Sequence, residues 1–302
     1  MFRARVATAL LVVLAALFGA RPSAGRQAAA LPAYTLVQRV TFYDAAGNAT
    51  PVREMTRYAS ARGDWRVVWT YAGGLSEDTI FLPRRGVYYT DRRGKRLARL
   101  GDEASGRPAA VTADALTADP KFVRVEYVMG MLTYVKREKI NGYTYEWYYA
   151  PELGNYPLKT VVSEGACREV SEPASLAFGE PGRAKLRGEE FPLDERAAVF
   201  DDALDARVAE QPAPQYAPAR GDARRKVSVQ VYVDEEGYVT RAAVVSWHPP
   251  SEAAAVEAAL RARFDLGREA GAPGRLLTGV LTYELGHPAA ATDDKAAGSP
   301  RE

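Results

Sequence analysis

From Tyr34 to about Gly179 apolar and polar residues alternate with a period of two, which is the signature of half-buried strands. Turn signals interrupt the alternation at short spacing: Gly47-Asn48, Arg62-Gly63-Asp64, Gly73-Gly74, Arg93-Gly94, Asn141-Gly142 and Gly154-Asn155. Two runs stand out. In one, Trp65, Val67, Trp69 and Tyr71 share a face, with Arg66 and Thr70 opposite. In the other, Tyr143, Tyr145, Trp147 and Tyr149 share a face, with Thr144 and Glu146 opposite. Side chains alternate across a strand, so each run presents an aromatic stripe to one side. Residues 101–118 are rich in Gly, Ala, Asp and Pro and read as a loop with a short helical turn.

The pattern then changes. Leu193, Ala197, Phe200, Leu204 and Val208 recur at three- and four-residue steps, which predicts an amphipathic helix with Asp194 as its cap. Pro212 to Pro218 follows as a short stiff linker. Beyond it, Val227, Val229, Val231 and Val233 alternate with Ser228, Gln230 and Tyr232. Asp234-Glu235-Glu236-Gly237 turns the chain, and Tyr238 to Ser246 returns as a second strand. A helix is predicted after Pro249-Pro250, with Ser251 as N-cap and Ala253, Val256, Leu260 and Phe264 on its buried face. Leu277, Gly279, Leu281, Tyr283 and Leu285 mark a last strand, and residues 286–302 have no periodicity.

Composition narrows the function classes. Of 302 residues, 47% are hydrophobic and 26% charged, as in ordinary globular chains. Lys+Arg 40 against Asp+Glu 38 argues against a dedicated nucleic-acid binder. Two His and one Cys, Cys167, exclude a Cys/His zinc cluster and an internal disulfide. Arg84, Arg85, Arg92, Arg93, Lys95, Arg96 and Arg99, against the single acid Asp91, read as a solvated hairpin. His248 and His287 have no neighbouring Cys, Ser or carboxylate pattern, and Asp201, Asp202 and Asp205 fall on the polar face of the predicted helix. The expectation is a protein that is not an enzyme, with no catalytic residue, metal or cofactor.

At the N-terminus, Arg3 and Arg5 precede an uncharged run of 15 residues from Val6 to Ala20. A spanning helix needs roughly 20 residues, so the pattern predicts a cleaved signal peptide. The expected location is periplasmic or secreted, the alternative being an uncleaved segment that anchors the chain to the inner membrane. With the signal cleaved, the protein is not expected to be an integral membrane protein.

The stretch VSVQVYVDEEGYVTRAAVVSWHPPSEAAAVEAALRARFDLGREAGAPGRLLTGVLTYEL resembles the C-terminal domain of the energy transducer TonB family, and PQYAP just upstream resembles that family's lead-in. The resemblance spans residues about 214–286. It implies a small ββαβ unit, and a partner bound by adding a strand to the sheet edge. The implied partner-binding edge is Val280, Leu281, Thr282, Tyr283, Glu284 and Leu285. More weakly, the strands around Trp65–Tyr71, Ile80–Leu82 and Val87–Thr90, with YYAPELGNYPLK from Tyr148 to Lys159, resemble the half-barrel of exported lipoprotein-carrier domains. That resemblance implies an apolar hollow lined by Trp65, Trp69, Tyr71, Tyr143, Tyr145, Trp147 and Tyr149.

The expected fold class is α+β. A signal peptide occupies 1–25 and an antiparallel, half-barrel-like β-rich domain 31–182. An amphipathic helix and Pro-rich linker follow at 183–222, a TonB-C-like ββαβ domain at 223–286 and a disordered tail at 287–302. The expected function is non-enzymatic interaction in the cell envelope, as part of a transport system: an envelope protein, a peptide or a second copy of the chain is recruited by edge-strand pairing. The alternative is a periplasmic carrier that holds a lipid or other apolar ligand in the N-terminal β domain.

Overall fold

The alternating runs of the first half form strands joined mostly by tight turns, and such strands pair with their sequence neighbours. The computed structural model describes residues 31–71, 76–82, 86–90, 97–101, 109–140, 142–187, 193–194, 198–215, 225–244, 249–267 and 276–285. The expected signal peptide, the His248 loop and the C-terminal tail lie outside the described residues, as does most of the basic stretch 84–99. Among the described residues no helix is long and apolar enough to cross a membrane.

A first meander runs β1 (Tyr34–Tyr43), β2 (Ala49–Ala59), β3 (Trp65–Tyr71), β4 (Ser76–Leu82), β5 (Gly86–Thr90) and β6 (Leu97–Gly101). Helix α1 (Ala113–Thr117), capped by the Thr112 hydroxyl, leads to a second meander. This one comprises β7 (Phe122–Val128), β8 (Met131–Ile140), β9 (Tyr143–Tyr149), β10 (Pro157–Glu164) and β11 (Cys167–Phe178). Strand β11 pairs antiparallel with β1 and fuses the two meanders. With the short parallel strand β12 (Leu193–Asp194) added, the order is β12-β6-β5-β4-β3-β2-β1-β11-β10-β9-β8-β7. Bulges at Val37/Gln38 and Val40/Thr41 interrupt the central ladders, where an extra residue bends a sheet.

The sheet register puts both aromatic stripes on one face. Trp65 opposes Ala59 and Trp69 opposes Met55 across β2 and β3, while Leu36 and Gln38 of β1 oppose Arg57 and Met55. On the other side, Trp147 opposes Thr160 and Tyr145 opposes Val162, and these continue through Ser171 and Glu169 of β11 to Val40 and Phe42 of β1. We call this the inner face.

The C-terminal segment builds a second layer over part of that face. It contains β15 (Arg225–Val233), β16 (Val239–Val244), α3 (Pro249–Ala259), β17 (Arg263–Phe264) and β18 (Leu277–Leu285). The turn at Asp234 is fixed by its own carboxylate: Oδ1 accepts from the amides of Glu236 (3.1 Å) and Tyr238 (2.8 Å). Gly237 is required there. Its φ is +81°, and a Cβ would stand 2.0 Å from the Phe264 carbonyl oxygen.

Helix α3 is buried on nearly every side. Ala255, Val256, Ala258 and Ala259 lie in one cluster with Val227, Val229, Val231 and Leu281 of the small sheet and with Val40, Phe42, Val52 and Tyr71 of the large one. The helix is a filling between two sheets, and its alanines let both approach closely. Ala253 and Val256 are buried as their spacing predicts, whereas Leu260 and Phe264, also buried, lie beyond the helix end at Ala259, with Phe264 in β17. The helix begins at Pro249, so Ser251 stands in its first turn and does not cap it. Proline lacks the N–H that a first turn leaves unbonded, so it fits there without loss.

Among the described residues of Leu193–Val208 the predicted amphipathic helix is absent. The segment instead forms α2 (Arg183–Arg187), β12, β13 (Val199–Phe200), a 3-10 turn at Leu204–Arg207 and β14 (Val208–Glu210). Asp194 pairs with Ala98 in β12 and caps no helix. The reason is tertiary. The Val199 and Asp201 amides donate to the carbonyls of Leu276 (2.9 Å) and Thr278 (2.8 Å) on the open edge of β18. Leu204 settles over Gly279, where a Cβ would meet its side chain at 2.8 Å. Satisfying a sheet edge outweighs the small difference in local propensity.

Candidate ligand-binding face

The inner face is lined by large apolar and aromatic side chains, and three segments cover parts of it. Helix α1 places Leu116 against Tyr134, Trp147 and Tyr149. The turn after β9 packs Ala150 and Leu153 on Tyr34, Leu36 and Leu158, and Tyr156 reaches Met55. Gly154 permits this turn: its φ is +66°, and a Cβ would stand 2.4 Å from the Ala109 carbonyl oxygen. Helix α3 covers the end of the sheet near Phe42 and Tyr71. Trp69, Tyr143 and Tyr145 stay half-buried, between the covered parts.

The structure brings the seven predicted lining residues onto this one face, though to different extents. Trp65 stacks on Phe81 with centroids 5.8 Å apart, and Tyr145 stacks on Trp147 at 5.4 Å. Trp65, Tyr71, Trp147 and Tyr149 are buried in packing clusters. The Tyr71 hydroxyl donates to Glu77 Oε2 at 2.8 Å, which together with burial raises its pKa.

Two polar centres on this face were not anticipated. The first lies where the layers meet. Glu77 Oε1 accepts from the Ala242 amide (3.0 Å), so strand β16 is tied to β4, and Arg241 donates to the Thr79 hydroxyl at 2.9 Å. Arg53 lies 3.6 Å from Glu169 and over the Trp69 ring at 4.7 Å. Glu252 of α3 is buried beside this group. Burial disfavours the Arg53 charge, but the surrounding negative charges of Glu169, Glu252 and Glu77 outweigh it and hold the guanidinium charged. Burial pushes the Glu169 carboxyl up, with Arg53 pulling against it.

The second centre is Arg57. Its guanidinium sits 4.9 Å from the centroid of the Trp65 ring and 4.0 Å from that of Tyr156, and Nε donates to the Tyr34 hydroxyl at 3.2 Å. Burial pushes the Tyr156 phenol up to about 12, with the Arg57 charge acting the other way. A readable signal existed for both arginines. Arg53 and Arg57 share parity with Met55 and Ala59 along β2, so two charges interrupt a buried face.

In the predicted partner-binding edge, Leu281, Tyr283 and Leu285 point into the core, while Val280, Thr282 and Glu284 are exposed. Strand β15 holds one side of β18 along its whole length. On the other side β13 pairs at Leu277 and Thr278, and Gln211 Nε2 donates to the Thr282 carbonyl at 3.2 Å. Cys167 is half-buried against the shared core. No group of three or more His, Cys, Asp or Glu side chains suited to a metal ion occurs among the described residues.

No family model matches the chain, and no curated protein matches it. Among solved structures, PNGF-II is 12% identical, aligned over 68% of this chain and 45% of that one with a TM-score of 0.30. The chain thus spans less than half the length of PNGF-II. The Pseudomonas aeruginosa MucA/MucB complex is 14% identical over 72% of this chain and 80% of that one, with a TM-score of 0.34. The Mycobacterium tuberculosis lipoprotein LppX is 9% identical over 50% and 88%, with a TM-score of 0.23. Likenesses this loose fix neither ligand nor partner.

Proposed function

We propose that this chain is an exported, non-enzymatic carrier that holds a lipid or other apolar ligand against the inner face of its large sheet. The observation that carries the reading is the convergence of both aromatic stripes on one face, with Trp69, Tyr143 and Tyr145 left half-buried. Half-buried rings beside covered ones leave apolar surface that a bound ligand can remove from water. The signal-peptide pattern at Arg3–Ala20 supports export. The test is mass spectrometry of lipid extracted from the natively purified protein, together with titration of an apolar fluorescent probe. Trp69→Ala and Tyr145→Ala are expected to weaken probe binding severalfold. Unchanged binding in both variants, or no binding by the parent, overturns the reading.

Edge pairing is the second reading. It is supported by the outer side of β18, where β13 takes only Leu277 and Thr278. The Thr282 carbonyl faces away from β15, since Gln211 reaches it. Backbone N–H and C=O of one residue in an antiparallel strand point to the same side, so Thr282→Pro removes an outward donor and spares the β15 ladder. Loss of partner capture in that variant, with the fold intact, is the expected result. Unchanged capture overturns this reading.

A further inference from the structure

Arg57 is 4% exposed. Among the described residues no carboxylate lies within ion-pair distance of it. Its one hydrogen bond uses Nε, toward the Tyr34 hydroxyl. A guanidinium carries five N–H donors, so four remain unused. Trp65, whose ring lies against the guanidinium, adds a buried indole Nε1–H that has no acceptor. Met55, Val67, Phe81 and Val87 of the same cluster bring no acceptor oxygen on their side chains, and the Tyr156 hydroxyl packed beside them donates to Met55 Sδ and is not a hydrogen-bond partner of Arg57. The buried Trp65 indole N–H without an acceptor costs free energy that an incoming oxyanion would recover, and the remaining guanidinium N–H groups of Arg57 keep the slight exposure that lets a ligand reach them.

Resting on the carrier reading, we infer that Arg57 and Trp65 form the head-group site of the inner face, and that the ligand is a long-chain amphiphile with an oxyanion head. The head oxygens accept from the free guanidinium N–H groups, and the indole N–H of Trp65 supplies a further donor. A planar guanidinium fork suits a carboxylate or a phosphate equally, as both present two oxygens side by side. The chain lies along the aromatic stripes. The polarity of the face sets the direction. At Arg53, about 13 Å along the same strand, Glu77, Glu169 and Glu252 outnumber the cation and disfavour a second anion.

The test is calorimetric titration of the delipidated protein with palmitate, hexadecyl phosphate, hexadecanol and inorganic phosphate. Palmitate or hexadecyl phosphate is expected to bind at least about tenfold tighter than hexadecanol, as a charge-assisted hydrogen bond provides. Arg57→Gln is expected to abolish that preference, chiefly by weakening palmitate and hexadecyl phosphate, and to change hexadecanol binding far less. Trp65→Phe keeps the ring, deletes the donor, and is expected to reduce the preference about threefold. If Arg57→Gln does not fold by circular dichroism, Arg57→Lys replaces it, and it should retain part of the preference. Equal affinity for acid and alcohol in the parent, or a preference that survives Arg57→Gln, overturns the head-group site while leaving the carrier reading standing. Inorganic phosphate binding as tightly as hexadecyl phosphate overturns the amphiphile in favour of a free anion. Failure of every long-chain probe to bind overturns both.

Discussion

Arg53 and Arg57 stand four residues apart on β2, on the same face, and each lies over a tryptophan ring of β3. Their surroundings differ in one respect. Around Arg53, carboxylates arrive from β4, β11 and α3, so the charge is over-compensated, beside the Glu77–Ala242 and Arg241–Thr79 bonds that join the two layers. Around Arg57 there are rings, a phenol hydroxyl partner and, among the described residues, no carboxylate within ion-pair distance. The same side chain in nearly the same position therefore serves as an internal tie in one place and as an open donor set in the other. Burial of a charge does not by itself indicate a structural role. What decides is whether the protein supplies the counter-charge.

Several substitutions can break or sharpen that contrast. Arg53→Met should have the largest effect, a loss of about 3–5 kcal/mol in denaturant unfolding, because it strands Glu169 in a buried site. A loss below about 1 kcal/mol would mean that the Arg53 centre is no more structural than the Arg57 one. Tyr71→Phe removes one of two donors to Glu77 and should cost about 1–3 kcal/mol by the same measurement. Arg57→Met leaves no carboxylate orphaned, so its cost to the ligand-free protein should stay near 1–2 kcal/mol, about the value of two cation–π contacts and one hydrogen bond. A loss as large as that of Arg53→Met would show that Arg57 is a structural tie after all.

Proton linkage supplies the smallest and most specific difference. Glu169 has its folded pKa raised above 4.5, mainly by burial. The folded state then binds more protons than the unfolded one, so stability is fully present below the unfolded value and falls as pH rises through the raised one. Glu146, on the opposite face, is the reverse case. Burial works against its charge, but hydrogen bonds from Arg124, Arg137 and Tyr148 outweigh it and hold the carboxyl down to about 2. Its contribution is present above 4.5 and is lost as pH falls toward 2. Relative to Glu169→Gln, the parent should lose stability as pH rises above 4.5. Relative to Glu146→Gln, its advantage should vanish on acidification. Unfolding midpoints measured across pH check both signs.

The stripes at Trp65–Tyr71 and Tyr143–Tyr149 were legible because a period of two assigns faces without any knowledge of partners. The Asp234–Gly237 turn was legible for a similar reason, since its hydrogen bonds are local to the turn. The region Leu193–Val208 misled because helical spacing is only a local argument, and this segment is held by the edge of β18. The polar centres went unread in full. Arg53 and Glu169 meet only after β11 returns to β1, and Glu252 joins them only when α3 is laid between the sheets.

The sequence alone determined where strands run, which way their side chains face and where the chain turns, because those depend on bonds and contacts a few residues apart. Tertiary structure decided the rest: that the two stripes share one face, that an alanine-rich helix is buried on both sides, and that one arginine of β2 is neutralised while the other is not. The reason is that strand order and layer contact are set by non-local pairing, and the pairing decides which charge a buried guanidinium meets.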